Sequence, residues 1–187
     1  TSRRLPKVRM LKAMLADNVH SKFPPGVALP LGVRTLCEYV DANGYPISGC
    51  FEISTIGDED IAAWFPNDTD MQRRFAAFGR GSTGSVYSLW LQHENDAENA
   101  PVVVLGSEGE MLVLATDCAE FCRLLGCGYD ELEWDVLTEP SPIWETAQPL
   151  RDWLKARMNL DCPRTGADIV SAAVERYPDF GDFVQQW

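Results

Sequence analysis

The sequence predicts an α+β domain: a mainly antiparallel central sheet with helices packed around it, and extra helices at the N- and C-terminal ends. Three observations carry that prediction. Between residues 74 and 115 four short apolar strands follow one another through turns of hairpin length. Apolar residues at helical spacing recur on both sides of them, over 31–43, 117–126 and 147–158. The 187 residues are 45% hydrophobic and 24% charged, which is the composition of one soluble globular domain. No run of about 18 apolar residues occurs, so no membrane-spanning helix is expected.

Residues 5–19 read as a basic amphipathic helix with Leu5, Val8, Leu11, Leu15 and Val19 on one stripe. Such helices can bind membranes or acidic partners, but this one is expected to pack on the body or against a second copy, the latter giving a homodimer. Pro24-Pro25-Gly26 and Leu29-Pro30 then break the chain. A helix over 31–43 follows, with Val33, Leu36, Cys37 and Val40 on one face and Asn43-Gly44 as its stop. Gly49 opens a strand from Cys50 to Thr55, in which Phe51, Ile53 and Thr55 alternate with Glu52 and Ser54. Gly57 to Asp60 read as an acidic turn, and Ile61 to Phe65 fit helix and strand equally.

The meander begins with a strand near 74–79, which runs into Gly79-Arg80-Gly81-Ser82-Thr83-Gly84-Ser85 and leaves as Val86 to Leu91. Residues 92–100 form a polar loop. Val102 to Leu105 then make a continuous apolar run suited to a buried strand, and Gly106 to Glu110 turn into Met111 to Ala115. Asp117 with Glu120 three residues later marks a helix start, with Cys118, Phe121, Cys122, Leu124 and Leu125 inside and Gly126 or Gly128 as the stop. An acidic link spans 130–142. Residues 147–158 carry Leu150, Trp153, Leu154 and Met158 at helical spacing. Thr165 and Asp168 predict the cap of a further helix with Ile169, Ala172, Ala173 and Val174 on its face, and Phe180, Phe183, Val184 and Trp187 a last amphipathic turn. The chain thus divides into a basic helical extension (1–28), an α+β core (29–139) and a C-terminal helical segment packed on the core (140–187).

The net charge of −12 is concentrated. Residues 92–150 hold thirteen acids against Arg123 alone, whereas the rest of the chain is neutral and its first twelve residues carry Arg3, Arg4, Lys7, Arg9 and Lys12. An acidic field of this kind disfavours nucleic acid as a partner and steers basic proteins, and no membrane partner is expected. The six cysteines form no C-x-x-C pair and have no histidine nearby, so free buried thiols are expected, without a metal or a cofactor. With free thiols and no apolar leader at the N-terminus, a cytoplasmic location is expected.

Candidate chemistry is sparse. Gly79 to Gly84 match G-x-G-x-x-G, but a strand follows where a dinucleotide site needs a helix, and no lysine follows for a P-loop. Neither Ser82 nor Ser107 lies in a nucleophile elbow, and His20 and His93 lie in stretches of loop character. No catalytic set is expected. Small-anion binding by the Gly-rich turns, through backbone N–H groups with Arg80, Ser82 and Ser85, is an alternative.

Phe75 to Leu91, with Pro101 to Glu110, Leu114-Ala115 and Glu120 to Leu125, resembles the central hairpins and following helix of the SUKH superfamily. Upstream, Leu29-Pro30, the next helix and Ala42-Asn43-Gly44 are similar to its first helix and stop, so the likeness covers 29–137. The superfamily holds a fungal regulator of cell-wall synthesis and many bacterial immunity proteins that neutralise secreted toxins by binding them. The resemblance implies a non-catalytic protein-binding module, expected to inhibit a basic toxin domain through an acidic surface. A cytosolic regulatory or scaffold protein without a toxin partner is the alternative. Candidate contact residues are Arg80, Ser82, Glu108 and Glu110 in the turns and Asp130, Glu131, Glu133 and Asp135 in the link.

Overall fold

The computed structural model describes residues 15–54, 58–93, 96–133 and 135–186. Five antiparallel strands lie in the order of the chain: β1 (Glu52–Ile53), β2 (Phe75–Arg80), β3 (Val86–Trp90), β4 (Val102–Leu105) and β5 (Met111–Ala115). Helices surround them: α1 (described over 15–20), α2 (Leu31–Asn43), α3 (Asp58–Trp64), α4 (Thr69–Gln72), α5 (Cys118–Leu125), α6 (Gln148–Met158), α7 (Ala167–Arg176) and α8 (Phe180–Gln185).

Alternation along the strands builds two cores. Phe78, Tyr87, Leu89, Val104 and Leu114 face one side, where Val19, Leu36, Phe121 and Leu154 of α1, α2, α5 and α6 meet them. Phe75, Val86, Trp90, Val103 and Leu105 face the other, against Ile61 of α3, Met71 of α4, Ala173 of α7 and Phe180 of α8. A sheet covered on both faces needs apolar residues at successive positions, which is why Val102 to Leu105 all have 0% exposure. Helix α7 packs beside β5 and sends Ile169 to the first core and Ala173 to the second. The opposite edge is blunted by the shortness of β1.

The meander, α2, α5 and α6 lie where the sequence places them. Asp117 caps α5, its carboxylate accepting from the Glu120 N–H at 2.9 Å. Helix α2 has no cap of its own; the Glu98 carboxylate accepts from the Leu31 N–H at 3.0 Å instead.

Four local expectations are corrected. Of the strand expected over 50–55, the described residues form strand at Glu52–Ile53, because the Cys50 N–H turns away to the Asp130 carbonyl at 2.9 Å, and Thr55 lies outside the described residues. Of the turn expected over Gly57 to Asp60, Gly57 lies outside the described residues and Asp58 to Asp60 open helix α3 instead, since a helix brings Ile61 and Phe65 together on the second core. Thr165 does not cap α7: Gly166 holds that position with no side-chain bond, its N–H donating to the Leu137 carbonyl at 3.1 Å. On α7 Ile169 and Ala173 are buried while Ala172 and Val174 face solvent. Of the basic N-terminal helix, Leu5, Val8 and Leu11 lie outside the described residues, as does Trp187 at the other end.

Candidate partner-binding surface

Register places the candidate residues. Glu52, Arg80, Val86, Leu105 and Met111 form one row across the sheet. The β2–β3 and β4–β5 turns therefore leave the same end of the sheet, with centres about 10 Å apart at two strand spacings.

The two turns are built alike. Gly81-Ser82-Thr83-Gly84-Ser85 and Gly106-Ser107-Glu108-Gly109-Glu110 each fill a five-residue gap between paired positions. In both, the first glycine N–H donates to the fifth carbonyl, at 3.0 and 2.7 Å, and the second glycine N–H donates back to the first carbonyl, at 3.3 and 2.9 Å. The second glycines, Gly84 and Gly109, have φ of 87° and 95°, which an L side chain resists. A carboxylate lies against each first glycine: a Cβ on Gly81 would be 3.2 Å from Glu133 Oε1, and one on Gly106 would be 2.5 Å from Glu110 Oε2.

The acidic link returns to this end. The Cys50 N–H holds the Asp130 carbonyl, and the Ser82 hydroxyl donates to the Glu131 carboxylate. Glu131 and Asp135 close a small turn: the Glu131 N–H donates to Asp135 Oδ2 at 3.1 Å and the Asp135 N–H to the Glu131 carbonyl at 3.0 Å. Leu132 is buried and anchors the segment. Beyond it, the Tyr129 hydroxyl sits 2.9 and 2.6 Å from the carbonyls of Leu137 and Glu139 and accepts from the Gly166 N–H at 3.2 Å.

Glu133 points inward. Its two carboxylate oxygens are hidden from solvent beside Gly81 and the Tyr87 phenol, without a hydrogen bond of ordinary geometry. Burial first, and then the Glu133 charge, push the Tyr87 phenol far above its usual range. Burial, followed by the charges of Glu131 and Asp130, pushes the Cys50 thiol up to about 11.

All eight sequence-predicted residues belong to segments of this one end, in two roles. Arg80, Ser82, Glu108 and Asp130 are exposed and open to contact. Glu110, Glu131, Glu133 and Asp135 are half-buried and partly spent on holding the turns and the link. Arg80 is engaged as well, with Glu52 at 3.6 Å, and this exposed pair contributes about 0–1 kcal/mol. Nothing in the sequence marks Glu52 or Tyr45 as part of this end. Tyr45 is 46% exposed, and its hydroxyl donates to the Ile53 carbonyl at 2.7 Å. An exposed aromatic ring thus stands beside the acidic end, in a segment whose only sequence signal is a Gly-Tyr-Pro turn.

The alternative anion cradle in the β2–β3 turn meets two obstacles. Its glycine N–H groups are spent within the turn, and the carboxylates of Glu131 and Glu133 face it. All six cysteines are free, and among the described residues no cluster of three His, Cys, Asp or Glu side chains is placed to hold a metal. Among the described residues no helix is long and apolar enough to cross a membrane. Compared with protein-family models, with curated proteins and with solved structures, the chain matches none of them.

Proposed function

We propose that this chain is a non-catalytic binding protein of the immunity type, which occludes a basic toxin domain in the cytoplasm with the acidic end of its sheet. One observation carries the reading: two like-built turns and the 130–135 link, distant in sequence, bring carboxylates to one end, and the one cation among the candidates is already paired with Glu52. Such a field steers a basic partner and sets its orientation. Tyr45 supplies the aromatic anchor of the kind on which binding energy concentrates. The resemblance of 29–137 to the SUKH superfamily points the same way.

The test is affinity capture of the tagged chain from its native lysate, beside a Tyr45→Ala variant and a Glu108→Gln/Asp130→Asn variant. Expected is a stoichiometric basic partner, released by salt, depleted with both variants, and containing a domain toxic when expressed alone and harmless with this chain. Recovery of housekeeping assemblies only, or a capture indifferent to both variants and to salt, overturns the reading.

A further inference from the structure

The other end of the sheet has the opposite character. The Leu91 N–H donates to the Arg74 carbonyl at 2.7 Å, extending the β2–β3 ladder past Phe75 and Trp90. Arg73, Arg74 and Leu91 therefore stand at the far end of β2 from Ser82, about 20 Å away at about 3.3 Å per residue. A cleft of about 870 Å3 opens there between this corner and the Pro24–Val27 loop. It shares Pro24, Pro25 and Arg73 with a second arm of about 380 Å3 that reaches Lys22, Phe75 and Ala77.

The loop wall is well fixed. Pro25 and Gly26 (φ 84°) occupy the central positions of a turn closed by the Val27 N–H on the Pro24 carbonyl at 3.1 Å. His20 Nε2 holds the Val27 carbonyl at 2.9 Å. Prolines and Leu91 give the cleft an apolar floor, while among the described residues its charged lining is Lys22, Arg73 and Arg74 against Asp70. Arg74 Nη1 donates to the Gln92 carbonyl at 3.1 Å, which fixes its guanidinium at the rim. Arg73 meets Asp70 at 3.9 Å, with both side chains mostly exposed, a contact too long and too solvated to satisfy it.

We infer that this two-armed cleft binds a short acidic peptide segment, with Arg73 and Arg74 receiving its carboxylates and the proline wall its aliphatic stems. In a chain of net charge −12, three cations against one carboxylate among the described lining residues make this a local reversal of sign that favours an anionic occupant. Guanidinium groups pair with carboxylates in a fork that discriminates by geometry as well as charge. Size decides between a small anion and a peptide. The larger arm alone has the volume of a whole small-molecule site, about 300–1,000 Å3, so a lone phosphate or acetate would leave its apolar wall uncovered.

The test is fluorescence anisotropy of a rhodamine-labelled peptide of alternating Glu and Leu, with its Gln–Leu counterpart, on the full chain at low and high salt. Expected is saturable one-to-one binding of the acidic peptide only, weakened by salt. Arg73→Gln/Arg74→Gln weakens it about tenfold or more, Asp70→Asn tightens it about threefold, and Lys155→Gln leaves it unchanged. Arg73→Gln alone keeps the test sound if the double variant misfolds, because Arg73 is exposed and its loss opens no core. The inference is overturned by absence of binding, by affinity indifferent to the arginine variants, or by equal weakening in Lys155→Gln. Displacement of the peptide by equimolar inorganic phosphate would assign a small-anion site instead. A mass that doubles with concentration, and falls back in Arg73→Gln, would assign the cleft to a second copy. Glu108→Gln, at the acidic end, leaves peptide binding unchanged, so this result and the partner test fail independently.

Discussion

The Ser82 hydroxyl donates to Glu131, tying a strand turn to a link 49 residues further along the chain. That bond decides where the link's carboxylates stand relative to the sheet. Ser82→Ala and Glu131→Gln should each cost about 1 kcal/mol, and the double variant about as much as the larger single one. Urea midpoints of the four proteins check this; strict additivity would mean that the bond contributes nothing to holding the link.

Gly49 sets the other side of the link. With φ of 51° it lies in the left-handed region, and a Cβ there would be 2.2 Å from the Tyr129 carbonyl oxygen and 2.4 Å from that of Asp130. Backbone cannot yield as a flexible side chain can, so Gly49→Ala should cost about 3 kcal/mol or more. Gly109→Ala shares the positive φ, at 95°, but meets nothing within 4 Å, and should cost about 1 kcal/mol. Thermal unfolding of both variants tests the difference, and equal losses would show that the packing of the link on residue 49 is unimportant.

Arg151 is a buried cation that fastens α6 to the turn after α5. It donates to the carbonyls of Gly126 at 3.0 Å and Trp144 at 2.8 Å, and its guanidinium lies 3.7 Å from the Trp144 ring centre. Arg151→Ala leaves two carbonyls without their donor and should cost about 3 kcal/mol. Arg157→Ala, at an exposed pair with Glu38, should cost under about 1 kcal/mol. Comparable losses at the two sites, read by chemical denaturation, would contradict this assignment.

The thiols make stability fall at alkaline pH. Burial raises Cys37 and Cys127 to about 12 and Cys50 and Cys162 to about 11, from the usual 9.0. The folded chain therefore keeps protons that the unfolded chain releases. Their stabilisation is full below pH 9 and is lost as the pH rises through 11 to 12. Melting temperature under reducing conditions should be level from about pH 7 to 8.5 and fall above about pH 9. The fall should become shallower in Cys162→Ser, and a melting temperature level to pH 11 would contradict buried protonated thiols.

Much of the fold was legible because its signals are local. Val102 to Leu105, the paired Gly-Ser-x-Gly turns and the Asp117 cap each need only their neighbours in sequence. Helix α3 was not legible in that way. Ile61 to Phe65 fit two periodicities, and the second core resolves them by taking Ile61 and Phe65 from one helical face. The capping pattern at Thr165 failed for the converse reason: a tertiary contact took the first N–H groups, the Leu137 carbonyl accepting from both Gly166 and Ala167 at 3.1 Å.

For the candidate surface, the amino-acid sequence by itself determined that the negative charge is concentrated and that two Gly-rich turns interrupt a meander, since composition and turn chemistry are properties of short segments. Only the tertiary structure decided that both turns and the 130–135 link meet at one end, with Tyr45 beside them and Arg73 and Arg74 at the other. Strand register and the hydrogen bonds of Cys50 and Ser82 to the link are contacts between residues far apart in the chain. Spacing along the chain carries no record of such distances.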